Sequence, residues 1–165
     1  MEKTPFNIFV SGDGKDKAYV WQIVPDLHAN EDVKMEEDQN NQSISSVASL
    51  GVSKFKTKLL HELPGHTETV ELAKFSSDGR FLVTGGMNNL LRVWDVDANF
   101  SLKLTIDSIP QEDMSFVDWH PKAPLILTGG KDYMVWLVNA VTGKIMASLA
   151  GHDMDITFAM FSLHD

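Results

Sequence analysis

The 165 residues contain no cysteine. That excludes a disulfide framework, a thiolate zinc site and a cysteine nucleophile, and it fits a reducing compartment. Basic residues are in deficit, 14 Lys and Arg against 23 Asp and Glu, for a formal net charge of -9. A sequence-neutral grip on a phosphate backbone needs dense Lys and Arg, so direct nucleic-acid binding is not expected and a basic partner is. No apolar run approaches the roughly 18 residues of a membrane helix. The short run at 6–10 turns polar at Ser11 before a secretory core could develop. No stretch carries a convincing 3.6-residue period either. The expectation is a soluble chain of the cytoplasm, or of cytoplasm and nucleus, with no cofactor implied.

What the sequence does have is a period. The stretch Phe75-Ser76-Ser77-Asp78-Gly79-Arg80-Phe81-Leu82-Val83-Thr84-Gly85-Gly86 superimposes on Trp119-His120-Pro121-Lys122-Ala123-Pro124-Leu125-Ile126-Leu127-Thr128-Gly129-Gly130 at a constant shift of 44. Asn88 then falls on Asp132 and Trp94 on Val138. A shift of 86 places Gly65-His66 on Gly151-His152, Val70 on Ile156 and Phe75 on Phe161. Two periods of about 43 residues is the length of a four-stranded propeller blade. Within each period short β-prone runs alternate with Gly, Asn and Asp at the reversals, the pattern of an antiparallel meander.

Gly65-His66, the Phe75-Ser76 and Asp78-Gly79 turn, Thr84-Gly85 and Trp94-Asp95 resemble the WD40 repeat in order and spacing, and Val138-Asn139-Ala140-Val141-Thr142-Gly143-Lys144 resembles its end segment with Val for Trp. A closer resemblance lies in Gly14-Lys15-Asp16-Lys17-Ala18-Tyr19-Val20-Trp21, in Thr84-Gly85-Gly86-Met87 with Leu90-Leu91-Arg92-Val93-Trp94, and in Trp119-His120-Pro121-Lys122-Ala123-Pro124. These look like consecutive blades of the angio-associated migratory cell protein family, whose yeast relatives are chaperones for one large-subunit ribosomal protein. The resemblance implies an all-β WD40 propeller that is incomplete, about three blades of a larger ring. Residues 1–24 are read as the last strands of a first blade, 25–54 as an insertion, 55–64 as that blade's outer strand, 65–106 and 107–150 as two full blades, and 151–165 as the start of another. Propellers close as rings of typically four to eight blades. The chain is therefore expected to be a piece of a longer protein or to find strands elsewhere, the remaining blades being absent from it.

The insertion is acidic: between 25 and 50 it carries Asp26, Glu31, Asp32, Glu36, Glu37 and Asp38 against Lys34 alone, and no aromatic residue. Such a composition buries too little apolar area to offset ordering entropy, so a disordered loop is expected.

Several motifs suggest chemistry and fail on physical grounds. Gly12-Asp13-Gly14-Lys15-Asp16-Lys17 lacks the third glycine and the following helix of a phosphate loop. His61-Glu62-Leu63-Pro64-Gly65-His66 spaces its histidines five apart and breaks any zinc-binding helix with Pro64-Gly65. Trp21, Trp94, Trp119 and Trp136 are expected to pack between blades rather than to stack on bases. No acid, base and nucleophile converge, so no enzyme, catalytic residue or metal site is assigned.

The resemblance implies instead a structural hydrogen-bond relay through His66, Thr84, Asn88 and Trp94, with Asn88 in place of the usual Asp. Thr128 and Asp132 repeat it in the next blade without the His and the indole, and His152 opens it in the one after. In a meander the turns between second and third strands share a face with the links between blades, and ring-binding ligands of WD40 propellers usually sit there. The candidate partner-binding residues are accordingly Asn88, Asn89, Lys131, Asp132 and Tyr133 with the link residues Asp107, Glu112 and Asp113. A non-catalytic scaffold that shields a basic segment of a large-subunit ribosomal protein is the expected function. A general WD40 adaptor in signalling, cell migration or cytoskeletal complexes is the alternative.

Overall fold

A computed structural model describes residues 8–25, 55–110 and 113–162. They fold into eleven strands and no helix: β1 (Ile8–Gly12), β2 (Ala18–Pro25), β3 (Phe55–Leu63), β4 (Val70–Phe75), β5 (Phe81–Gly86), β6 (Leu91–Asp95), β7 (Ser101–Ile106), β8 (Met114–Trp119), β9 (Leu125–Gly130), β10 (Val135–Asn139) and β11 (Ile145–Leu149). The strands form three antiparallel meanders, β1-β2-β3, β4-β5-β6-β7 and β8-β9-β10-β11. This is the incomplete propeller that the period implies. β1 takes in the part of the apolar run at 6–10 that lies within the described residues, and the outer strand β3 is longer than its central residues alone suggest. The insertion, apart from Pro25, lies outside the described residues.

The turns are set by local chemistry. Asp78 accepts the Arg80 N–H at 3.1 Å and the Ser76 hydroxyl at 2.6 Å, while Ser76 Oγ accepts the Phe81 N–H at 2.9 Å. Asn139 caps the third blade's last turn by accepting the N–H groups of Val141 and Thr142. Gly143 closes that turn at φ 72°, in the left-handed region that side chains disfavour. Bulges recur at equivalent places, Val20/Trp21, Val93/Trp94 and Leu137/Val138, one in the next-to-last strand of each sheet. Each tightens the local twist where the outer strand swings away.

The cores lie between blades. Ala18, Val20, Leu63, Val70, Leu82, Trp94 and Phe100 fill the first gap. Val83, Leu91, Val93, Ile106, Ile109, Met114, Trp119, Ile126, Val138 and Ala140 fill the second. The neighbours Leu82 and Val83 therefore face opposite blades. The second strand of each full blade is buried on both sides, which is why Phe81-Leu82-Val83 and Leu125-Ile126-Leu127 read as unbroken apolar runs.

Residues 150–162 form no strand, yet they track one. The Ile156 N–H donates to Gly130 O at 3.0 Å, just as Val70 donates to Asp13 O at 3.1 Å, and the Phe161 N–H donates to Asp118 Oδ2 at 2.8 Å. Ile156 is buried with Phe116, Leu127 and Val135. Segment 156–161 thus runs along β8 as the innermost strand of a further blade would.

Candidate functional site

His66 sits in the link before β4 and is 2% exposed, with Nε2 2.7 Å from Thr84 Oγ1. Thr84 Oγ1 also accepts the Trp94 indole N–H at 2.9 Å. A hydroxyl carries one hydrogen, and its available acceptor is Nε2, so the imidazole is neutral with its own hydrogen on Nδ1. Burial, assisted by the Arg92 guanidinium, pushes the His66 pKa down to about 4. Nδ1 is buried with no partner. Asn88 does not serve it: its amide nitrogen donates to Thr67 Oγ1 at 2.8 Å and its Oδ1 accepts the Leu90 N–H at 3.2 Å. Gly86 stands between the two side chains; a Cβ there would lie 3.0 Å from Asn88 Oδ1 and 3.1 Å from His66 Nδ1.

The next blade rewires the same positions. Thr128 turns its hydroxyl to Phe116 O at 2.9 Å, and Asp132 accepts the indole N–H of Trp136, two residues before Val138, at 2.6 Å. Ile109 packs in the core at the place of the Gly-His pair. His152 is exposed. All four indole N–H groups have an acceptor within the chain, Trp21 on Ser11 Oγ and Trp119 on Lys74 O completing the set. His61 and His66 do not come together as a metal pair: the His61 ring lies 4.6 Å from that of Phe100, while His66 faces Thr84. Among the described residues no three His, Asp or Glu groups could hold a metal. No helix among them is long and apolar enough to cross a membrane.

The turns and links do share a face, joined by the Met87 N–H to Thr69 O bond at 3.0 Å. Asn89 and Tyr133 hold φ of 60° and 61° at equivalent turn positions. Tyr133 is 44% exposed. The charge of the link is partly paired from outside it. Lys131 reaches across from the β9–β10 turn and pairs with Asp113 Oδ2 at 2.5 Å. The period brings them together, since Thr69 and Met87, one repeat earlier, also meet, there through their backbones. Asp107 is exposed, and Glu112 lies outside the described residues. The face remains acidic as a whole. Its described turns and links hold Asp13, Asp16, Glu68, Asp107, Asp113, Asp132, Asp153 and Asp155 against Lys15, Lys17 and Lys131.

The β1–β2 turn on this face satisfies itself. Asp13 Oδ1 accepts the N–H groups of Lys15, Asp16 and Lys17, each at 3.0 Å, and the Lys17 bond foremost holds the carboxyl below its usual range. The donors a phosphate would need are already taken.

Sequence reasoning missed a groove on the opposite face. It has a volume of about 440 Å³ and lies between Ser76, Ser77, Asp78, Arg80 and Phe81 of one blade and residues 119–124 with Val141 of the next. The Trp-His-Pro run builds one wall. His120 Nδ1 accepts the N–H groups of Lys122 and Ala123, and Trp119 stacks on Phe81 at 6.2 Å and 20°.

Residues 57–95 match the family profile described as WD domain, G-beta repeat. That stretch, from β3 to the end of β6, is similar to a WD40 repeat. Over 86 residues, 52% of this chain, the sequence is 37% identical to the human angio-associated migratory cell protein (Homo sapiens), of whose length the match is 19%. Over 89 residues it is 34% identical to the WD repeat-containing protein 26 homolog of Drosophila melanogaster, covering 50% of this chain and 14% of that one. The crystal structure of RRP9 WD40 repeats superimposes with a TM-score of 0.63 at 17% identity, over 90% of this chain and 37% of that one. This chain therefore spans about a fifth or less of the curated relatives named here and under half of the solved propeller.

Proposed function

We propose that these WD40 blades act as a non-catalytic scaffold whose link-bearing face takes a basic protein segment, that of a large-subunit ribosomal protein during assembly, in the cytoplasm or in cytoplasm and nucleus. The observation that carries the reading is the charge of the described turns and links on that face, eight carboxylates against three lysines, with the Arg92 guanidinium held on the Gly65 carbonyl as a fourth basic group. Over all described residues the balance is much closer to even. Opposite charge steers a Lys- and Arg-rich segment to this face and fixes its orientation. The fixed turns at Asn88-Asn89 and Asp132-Tyr133 give it a rigid seat.

The test is capture from cytosol with the chain and with its Asp107→Lys, Asp132→Lys variant. Ribosomal proteins should be enriched at 0.1 M salt, reduced at about 0.5 M as screening shortens the Debye length, and lost in the variant. Enrichment that ignores both changes sinks the reading. The aromatic groove on the opposite face favours the adaptor as a second reading. In that case Pro121→Glu, not the charge reversal, abolishes capture.

A further inference from the structure

The groove opposite the link-bearing face lies between two complete sheets, β4-β5-β6-β7 and β8-β9-β10-β11, and both supply its walls. One wall is the turn at 120–124, whose backbone donors are all engaged locally. The His120 N–H donates to Leu125 O at 2.9 Å, those of Lys122 and Ala123 donate to His120 Nδ1, and Pro121 and Pro124 have none. An incoming strand finds no N–H on this wall to pair with, so recognition falls to side chains. Two prolines and the imidazole cap also hold the wall in one conformation, which lowers the ordering cost of binding.

The side chains combine a flat apolar floor with cations. Phe81 stacks on the buried Trp119, and the Arg80 guanidinium and Lys103 ammonium stand 5.6 and 5.1 Å from the Phe81 ring centroid. Lys122 is exposed on the facing wall. Because His120 Nδ1 accepts two N–H groups, the hydrogen of the neutral ring is on Nε2, a further donor. The carboxylates nearby are committed to their own turns. Asp78 Oδ1 accepts the Ser76 hydroxyl and the Arg80 N–H, and Asp97 reaches Arg80 at 3.5 Å with both side chains largely exposed, a bridge of the kind that adds little. A ligand carboxylate can take the place of Asp97 on the guanidinium with two parallel hydrogen bonds.

The described turns of this face, at 76–80, 96–100, 120–124 and 140–144, hold Arg80, Lys122 and Lys144 against Asp78 and Asp97, the reverse of the link-bearing face. Strands of five and six residues keep the two faces about 17–20 Å apart. That is about twice the Debye length at physiological salt, so the acidic far side does not cancel the local balance.

We propose that this groove binds an acidic protein segment, an Asp or Glu side chain pairing with Arg80 and Lys122 while a neighbouring apolar side chain is covered by Phe81, Pro121 and Val141. The proposal rests on the adaptor reading of the groove and supplies the chemistry of the partner, opposite in sign to the basic segment assigned to the link-bearing face.

The experiment is an amide NMR titration of the full chain with the peptide Asp-Glu-Phe-Asp-Glu and, separately, with its charge-reversed twin Lys-Arg-Phe-Lys-Arg. The acidic probe should shift the amides of Ser77, Arg80, Lys122 and Val141 and leave those of Asn89 and Tyr133 in place. It should bind about tenfold more weakly to the Arg80→Glu, Lys122→Glu variant, the scale of two exposed ion pairs. If that variant loses its native amide spectrum, Arg80→Gln with Lys122→Gln removes the charges without reversing them and should weaken binding about threefold. The basic probe should leave the groove unshifted. No shift with the acidic probe, shifts centred on 89 and 133, or groove shifts of equal affinity with the basic probe overturn the proposal. Groove shifts that grow with chain concentration alone, the mark of a second copy in the groove, overturn it as well. The adaptor reading fails separately, when Pro121→Glu leaves capture from cytosol unchanged.

Discussion

His66 is a buried base kept neutral, and the linkage has a definite sign. Its pKa is about 4 in the folded chain against an ordinary 6.5, so the unfolded state binds the proton more readily. Stability contributed by the neutral ring is complete above pH 6.5 and is lost progressively as pH falls toward 4. Urea midpoints measured at pH 7.5 and 5.5 should differ more for the wild-type chain than for His66→Gln, and equal differences would refute the assignment. The unpartnered Nδ1 hydrogen leads to a second outcome. Asn88→Asp offers a carboxylate to it, and a hydrogen bond to a charged group outweighs a neutral one. The variant should gain about 1 kcal/mol by denaturant unfolding at pH 7, and NMR titration should place His66 above its wild-type pKa.

At the scale of the element, the innermost strands are tied in series. Asp118 on β8 accepts Lys74 of β4 at 2.5 Å through one oxygen and the Phe161 N–H at 2.8 Å through the other, while Trp119 donates to Lys74 O at 2.9 Å. Lys74 and Asp118 occupy one level of successive repeats, and Phe161 lies one residue past that level in the next. Asp118 is only 7% exposed, so its charge is held by these partners rather than by water. Asp118→Ala should cost about 2–3 kcal/mol and raise amide exchange at Phe161 before it affects β9 or β10. Uniform exchange along the third blade would refute this coupling. The pairing was within reach of the sequence, since Lys74 and Asp118 are opposite charges one period apart, but a period gives equivalence and not contact.

At the scale of the whole molecule, stability rests on how closely neighbouring blades approach. Gly12 lies so near β4 that a Cβ would meet Val70 O at 2.1 Å, a backbone atom that cannot swing aside. Gly12→Ala should cost about 2–4 kcal/mol and loosen the first sheet as a unit. Selective loss of amide protection in β1, β2 and β3 is the result to look for, and unchanged protection there would refute it. Gly14, four residues before β2, has open space where a Cβ would stand and should accept alanine with little change. The sequence alone cannot separate these two glycines.

The sequence by itself determined the all-β class, the repeat length, the order of strands and the turn positions. Each of these follows from local preferences and a period of residues written in the chain: Asp78-Gly79 and Asn139 to Gly143 turn wherever they stand, and Phe81-Leu82-Val83 is apolar on both faces because blades flank it. Only the tertiary structure decided the partners of charged and polar side chains. Asp132 took the Trp136 indole, Asp113 took Lys131 and Asn88 left His66 Nδ1 alone. Such choices depend on which atoms from different repeats arrive within about 3 Å of one another, a distance that blade packing sets and spacing along the chain does not.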